Sequence, residues 1–155
     1  MNLVKYGSAS FDPAQFDAIR DDHWIKPKGG LWASPVDSEF GWVDWCSHEE
    51  FTLDRASWFK FTYEGNIVVI DTEGDLNLLD WGEDYGCGLG NINFEAMLAR
   101  GIDAIHLTVR GQERTRFSRP RSLYGWDCES VLIMNPSPIR QYAASGMTRR
   151  FDLSL

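Results

Sequence analysis

Two carboxylates two residues apart, Asp127 and Glu129, stand at the mouth of the apolar run Val131 to Met134. In an extended strand, residues i and i+2 share a face, so this spacing predicts that Asp127 and Glu129 project together. Acids at the edge of a core strand must be paired or turned toward a ligand, because burial otherwise opposes their charge. A solvated strand face would show the same residues. Two glycine-bearing segments have the complementary property of letting a ligand approach the backbone. Lys5-Tyr6-Gly7-Ser8 ends a strand with a glycine and a hydroxyl, and Gly29-Gly30-Leu31-Trp32-Ala33-Ser34 joins glycines to a flat indole and a second hydroxyl. Trp32 can stack on a planar ring. Taken singly, the first segment also reads as a plain turn, and the second as a core tryptophan.

The elements that must position these groups are short. Strands are expected at Leu3 to Tyr6, Leu31 to Ala33, Trp58 to Tyr63, Ile67 to Ile70, Ala104 to Val109 and Glu129 to Met134. Gly65-Asn66 suggests a hairpin turn between the third and fourth of them. Helices are expected from Asp12-Pro13 to Arg20, from Asp37 to Phe51, from Asp75 to Trp81, and from Asn93 to Arg100, the last capped by Asn93 and stopped by Gly101. The tail after Ile139 yields no assignment, and Gly82 to Gly90 reads as a loop without the spacing of a phosphate cradle. Helices interrupt strands without strict alternation. The expected fold is a single α+β domain over 1–155, with two small, mostly antiparallel or mixed sheets around a cleft.

Composition bounds the function. A net charge of -8 excludes a generally basic surface, yet Arg110, Arg114, Arg116, Arg119 and Arg121 crowd into twelve residues just before Asp127. Such a loop could grip an anionic target, or could be a solvated loop balanced by nearby acids. The three cysteines lack CxxC spacing, and Cys46 and His48 have no second ligand pair, so neither a disulfide framework nor a metal site is expected. No run of ~18 apolar residues and no leader pattern is present, which suggests a cytoplasmic setting and no membrane partner.

In order along the chain, Tyr6-Gly7-Ser8, Gly30-Leu31-Trp32-Ala33-Ser34, Asn66 to Leu79, Phe94 to Ile105, and Asp127-x-Glu129 running into ESVLIMNPSPI resemble the ADP-ribosyltransferase fold superfamily of toxins and poly-ADP-ribosyl-transferases. The resemblance spans about residues 3–139. It departs from the family pattern at Tyr6, where His or Arg is usual, at Trp32, where Tyr is usual, and at Asp127, one methylene shorter than the usual Glu or Gln.

The resemblance implies a divergent transferase, of a kind that serves as a toxin or a phage-encoded modifier, that cleaves the nicotinamide–ribose bond of NAD and modifies a macromolecule, a protein ahead of nucleic acid. It implies Glu129 as the carboxylate beside the ribose and Asp127 as the group that orients or deprotonates an acceptor side chain. Tyr6, Gly7, Ser8, Gly30, Trp32 and Ser34 would hold the dinucleotide, with Ser34 supporting Glu129. Lys5, Lys26 and Lys28 would face the diphosphate, and the five arginines would meet the target. No metal is implied. The alternative is a protein of the same fold that has lost catalysis and acts as a binding or inhibitor protein. Oligomeric state is left open.

Overall fold

The computed structural model describes residues 1–86 and 88–146. Cys87 therefore lies outside the described residues. Seven strands form one mixed sheet: β1 (Asn2–Tyr6), β2 (Leu31–Pro35), β3 (Trp58–Tyr63), β4 (Ile67–Ile70), β5 (Ala104–Leu107), β6 (Ser130–Ile133) and β7 (Ile139–Ala144). Their order is β4-β5-β6-β2-β1-β3-β7, and only β4 and β5 run parallel. The fold is thus a single small α+β domain, but two separate sheets are not what forms. The two halves, β4-β5-β6-β2 and β1-β3-β7, are joined by a ladder of only two pairs, Leu3 with Pro35 and Val4 with Ser34.

Alternation along the strands builds two cores. Phe59, Phe61 and Tyr63 of β3 share one face with Leu3, Ala33, Val131 and Ile133. On the other face, Ile105, Leu107 and Leu132 pack under the connecting segments with Phe94, Met97 and Trp126.

The expected hairpin between β3 and β4 does not occur. β3 pairs with β1 and β7, while β4 lies at the far edge beside β5. Asn66 explains the divergence. Its backbone N–H donates to the Asp103 carboxylate (2.8 Å) and its side-chain amide to the Gly101 carbonyl (2.7 Å), which fastens the turn to the start of β5.

The helices are shorter than their sequence signals. Residues 12–20 hold only a 3-10 turn, Pro13–Gln15, capped by the Asp12 carboxylate on the Ala14 N–H (2.9 Å). The chain then extends into an isolated bridge between Arg20 and Lys28. The 37–51 segment is helical only at α1 (Trp42–His48), because Asp44 caps the Gly41 N–H and Ser34 caps Trp42. Residues 73–78 form a 3-10 helix rather than an α-helix over 75–81. The fourth helix forms as α2 (Phe94–Ala99). A third α-helix, α3 (Val109–Thr115), occupies the first half of the arginine-rich stretch read as a loop. The Thr108 hydroxyl accepts from the Gly111 N–H (2.9 Å) and starts it, so β5 ends at Leu107.

α3 lies close on β4 through Gly111. A Cβ added there would stand 2.0 Å from the Ile70 carbonyl oxygen, a backbone atom that cannot swing aside. Gly111→Ala is therefore expected to destabilise the fold by about 3 kcal/mol, an overpacking penalty at the upper end of the usual range. A shift of the urea midpoint at unchanged m-value would show it.

Candidate functional site

The two-pair ladder between β1 and β2 creates a cleft. The Val36 N–H donates to the Asn2 carbonyl (3.1 Å), so the even-numbered residues of β1 turn their backbone toward β2. Continued past Val4 and Ser34, that register would pair Lys5 with Ala33 and then Tyr6 with Trp32. The ladder stops before them, and Tyr6 and Trp32 line a cavity of about 280 Å³. The strands diverge there, and side chains from three further segments close the space.

Trp32 forms the flat wall. Its ring meets Trp126 edge-on, with centroids 4.7 Å apart and planes at 73°. Trp126 is 1% exposed and donates from Nε1 to the Ile25 carbonyl (2.7 Å), so it fixes the wall from behind. Trp42, at the start of α1, lines the cavity as well. Lys26 lies over the Trp32 ring, 5.9 Å from its centroid.

Asp127 lines the cavity and is flanked by two cations. Lys26 Nζ stands 3.8 Å from one carboxylate oxygen and Arg116 Nη1 3.7 Å from the other. Both separations exceed hydrogen-bond length, so the cations balance its charge without occupying its lone pairs. Lys5 also faces this space, and burial pulls its ammonium below the ordinary lysine range. Burial pushes the Cys128 thiol up to about 11, with the charges of Asp127 and Cys46 adding to it. The thiol is protonated at neutral pH and is no nucleophile there.

Asp127 and Glu129 do not project together. The chain bends at Cys128 and Glu129, and the i, i+2 rule holds only along extended backbone. Within β6, Ser130 lines the Trp32 cleft, whereas Val131 faces the opposite core. Glu129 turns to that opposite side and lines a separate groove of about 960 Å³ with His106, Asp71 and Arg110. Its carboxylate meets His106 Nε2 at 2.8 Å. Ser34 does not support it, since the Ser34 hydroxyl accepts from the Trp42 N–H instead (3.0 Å).

Of the other residues picked out by sequence, Tyr6, Trp32 and Ser34 meet at the cleft. Gly7, Ser8 and Gly30 are not among its lining. The Gly7 N–H donates to the Ser57 carbonyl (2.8 Å), the Ser8 hydroxyl to the Ser10 carbonyl (2.9 Å) and the Gly30 N–H to the Asp17 carbonyl (2.8 Å). Gly30 has a positive φ of 73° and packs against Leu132 and Ile19, which gives it a structural reason to be glycine. The five arginines divide. Arg116 reaches Asp127, Arg110 pairs with Asp71 across the other groove, and Arg121 lies against Trp81. Lys28 pairs with Asp22 (2.8 Å) rather than with the cleft. Trp42 and His106 were missed as site residues. His106 had a visible signal, since it is the one titratable residue in the apolar run AIHL.

The Glu129 carboxyl lies below the ordinary carboxylate range. Burial alone would raise it, but the hydrogen bond and the charge of His106 work against that effect and hold it down. A carboxylate held low in the fold stabilises it fully above the unfolded value of about 4.3 and loses that contribution as pH falls further. Glu129→Gln is therefore expected to flatten the fall in urea midpoint between pH 6 and pH 3. An unchanged acid profile would place the titration elsewhere.

Among the described residues, no group of three or more His, Cys, Asp or Glu side chains could hold a metal ion, and no helix is long and apolar enough to cross a membrane. A single α+β domain with an indole-walled cleft at a splayed strand pair is the class these features define. No family model, curated protein or solved structure matches the chain.

Proposed function

We propose that this protein is an NAD-consuming ADP-ribosyltransferase whose aromatic cleft receives the nicotinamide–ribose end of the dinucleotide. The observation that carries this reading is the meeting of Trp32, Lys26 and Asp127 at the point where β1 and β2 part. A flat aromatic wall, cations and one carboxylate are what a ring, a diphosphate and a ribose require of a protein. NAD supplies, when bound, a glycosidic bond whose cleavage leaves positive charge on the ribose. Trp32 would lie against the ring, Lys26 and Arg116 would face the phosphates, and Asp127 would stand as the counter-charge to the ribose. A fixed carboxylate in a partly dry site stabilises developing positive charge far better than water does. In this reading Asp127 takes the part that the resemblance implied for Glu129. The acceptor is a macromolecule.

One observation favours a second reading. Glu129, the residue matching the family's carboxylate, lies outside the cleft and is tied to His106. A protein that binds the dinucleotide without cleaving it, and acts by binding a partner, fits that placement.

Calorimetric titration with NAD, together with nicotinamide release by the unmodified chain, Asp127→Asn and Glu129→Gln, tests both. Binding with release lost in Asp127→Asn supports the transferase. Binding without any release supports the second reading. No binding at millimolar NAD overturns both.

A further inference from the structure

We infer that the loop following α3 is a docking surface for single-stranded nucleic acid, with Phe117 and Tyr124 as stacking rings and the neighbouring arginines as phosphate contacts. Phe117 is 72% exposed and Tyr124 46%, so neither contributes to a core. Their ring centroids lie 6.1 Å apart, and the Arg116 guanidinium sits over both, 5.7 Å from one and 5.4 Å from the other. The same loop repeats the arrangement, with the Arg121 guanidinium 5.4 Å over the Trp81 ring.

Charge complementarity selects the occupant. In a chain of net charge -8, residues 110–121 carry five arginines and a single acid, Glu113. Arg110 is taken by Asp71 and Arg116 is shared with Asp127, which leaves Arg114, Arg119 and Arg121 with no ion pair among the described residues. Exposed aromatics interleaved with arginines match bases and phosphates together, because every base has a face to stack and each nucleotide carries one charge. An acidic peptide would satisfy the arginines but leave the rings unused. A duplex keeps its bases stacked on one another and offers only its backbone.

The surface is preformed. The Ser118 hydroxyl lies within hydrogen-bond reach of the Thr115 (3.0 Å) and Arg121 (2.6 Å) carbonyls and donates its one proton to either, and the Ser122 hydroxyl donates to the Arg116 carbonyl (2.8 Å). These bonds fold residues 115–122 back on themselves, so the rings are held out without a large ordering cost on binding. Arg116 also reaches Asp127, which puts the surface at the rim of the Trp32 cleft.

The test is fluorescence anisotropy of a labelled twelve-nucleotide oligothymidylate, run without NAD so that it stands apart from the transferase reading. The single strand is expected to bind at least tenfold more tightly than a duplex of equal length. The double variant Phe117→Ala with Tyr124→Ala should weaken it at least tenfold, the usual loss when stacking rings are removed. Arg119→Glu should weaken it too, and binding should fall with salt at a log–log slope of about -2 to -3, for three or four neutralised phosphates. These three positions are exposed, so the variants keep the core intact. Three results each overturn the inference. They are an unchanged affinity in the aromatic double variant, poly-glutamate or duplex binding as tight as the single strand, and no binding of the oligonucleotide at low salt.

Discussion

Trp126→Ala is expected to lower stability by about 3–5 kcal/mol, the usual cost of removing a buried large aromatic. Trp126 is the largest side chain that is almost wholly buried, at 1% exposure. Its removal leaves a cavity beside Ile25 and Leu123, and it leaves the Ile25 carbonyl without the 2.7 Å bond from Nε1. In a domain of this size, the melting temperature should drop by roughly 10 °C. Trp126→Phe restores much of the volume but not the donor, and should fall between the two proteins. The loss is not only thermodynamic. The edge of Trp126 fixes the Trp32 ring, so ligand affinity at the cleft should fall with stability, and Trp126→Phe should recover part of both. A small change in urea or thermal midpoint in Trp126→Ala would mean that the site collapses on the gap and that the wall does not depend on it.

Asp127→Asn is expected to reduce nicotinamide release by a factor of about 10²–10³, the range seen when one group that stabilises transition-state charge is removed. The sign follows from the local charge. Asp127 lies between Lys26 and Arg116 at 3.8 and 3.7 Å, so the cluster carries one net positive charge. In the proposed transferase, the amide would keep the shape and leave two cations facing a ribose on which positive charge must grow. On that reading NAD affinity should change far less than turnover, because the same cations would still attract the diphosphate. Glu129→Gln should leave release within about threefold, since its carboxylate lies in the other groove against His106, and its effect should appear in acid stability instead. The opposite pattern, with Glu129→Gln inactive and Asp127→Asn active, would move the chemistry to the His106 side of the sheet.

Most of the strands were legible because their signals are local. The alternation of Trp58–Tyr63 and the apolar runs Ile67–Ile70 and Ser130–Ile133 mark strands at nearly the observed bounds. Asn93 and Gly101 bracket α2 for the same reason, and the Gly101 φ of 85° is what a helix stop requires. Helix lengths were overread, because caps decide them, and the caps come from elsewhere. Ser34 on β2 fixes where α1 begins, and no helical periodicity carries that information. β7 carries no alternating apolar pattern to mark it and is largely exposed, and it forms by pairing with β3 at the sheet edge.

The residue types at the site are legible in the sequence: an indole after paired glycines, a carboxylate pair before a core strand, and a basic stretch in an acidic chain. So are the α+β class and most of the strands. Which carboxylate joins the indole depends on how the chain folds back on itself. A bend at Cys128 and Glu129 breaks the two-residue period, sending Asp127 to the Trp32 side and Glu129 to His106. Strand pairing is long-range, so Asn66 could turn β4 toward β5 rather than β3 without altering any local signal. The cleft itself arises from the same cause. It exists because the β1–β2 ladder ends after Val4 and Ser34, and a ladder's length is set by how two whole half-sheets twist against each other.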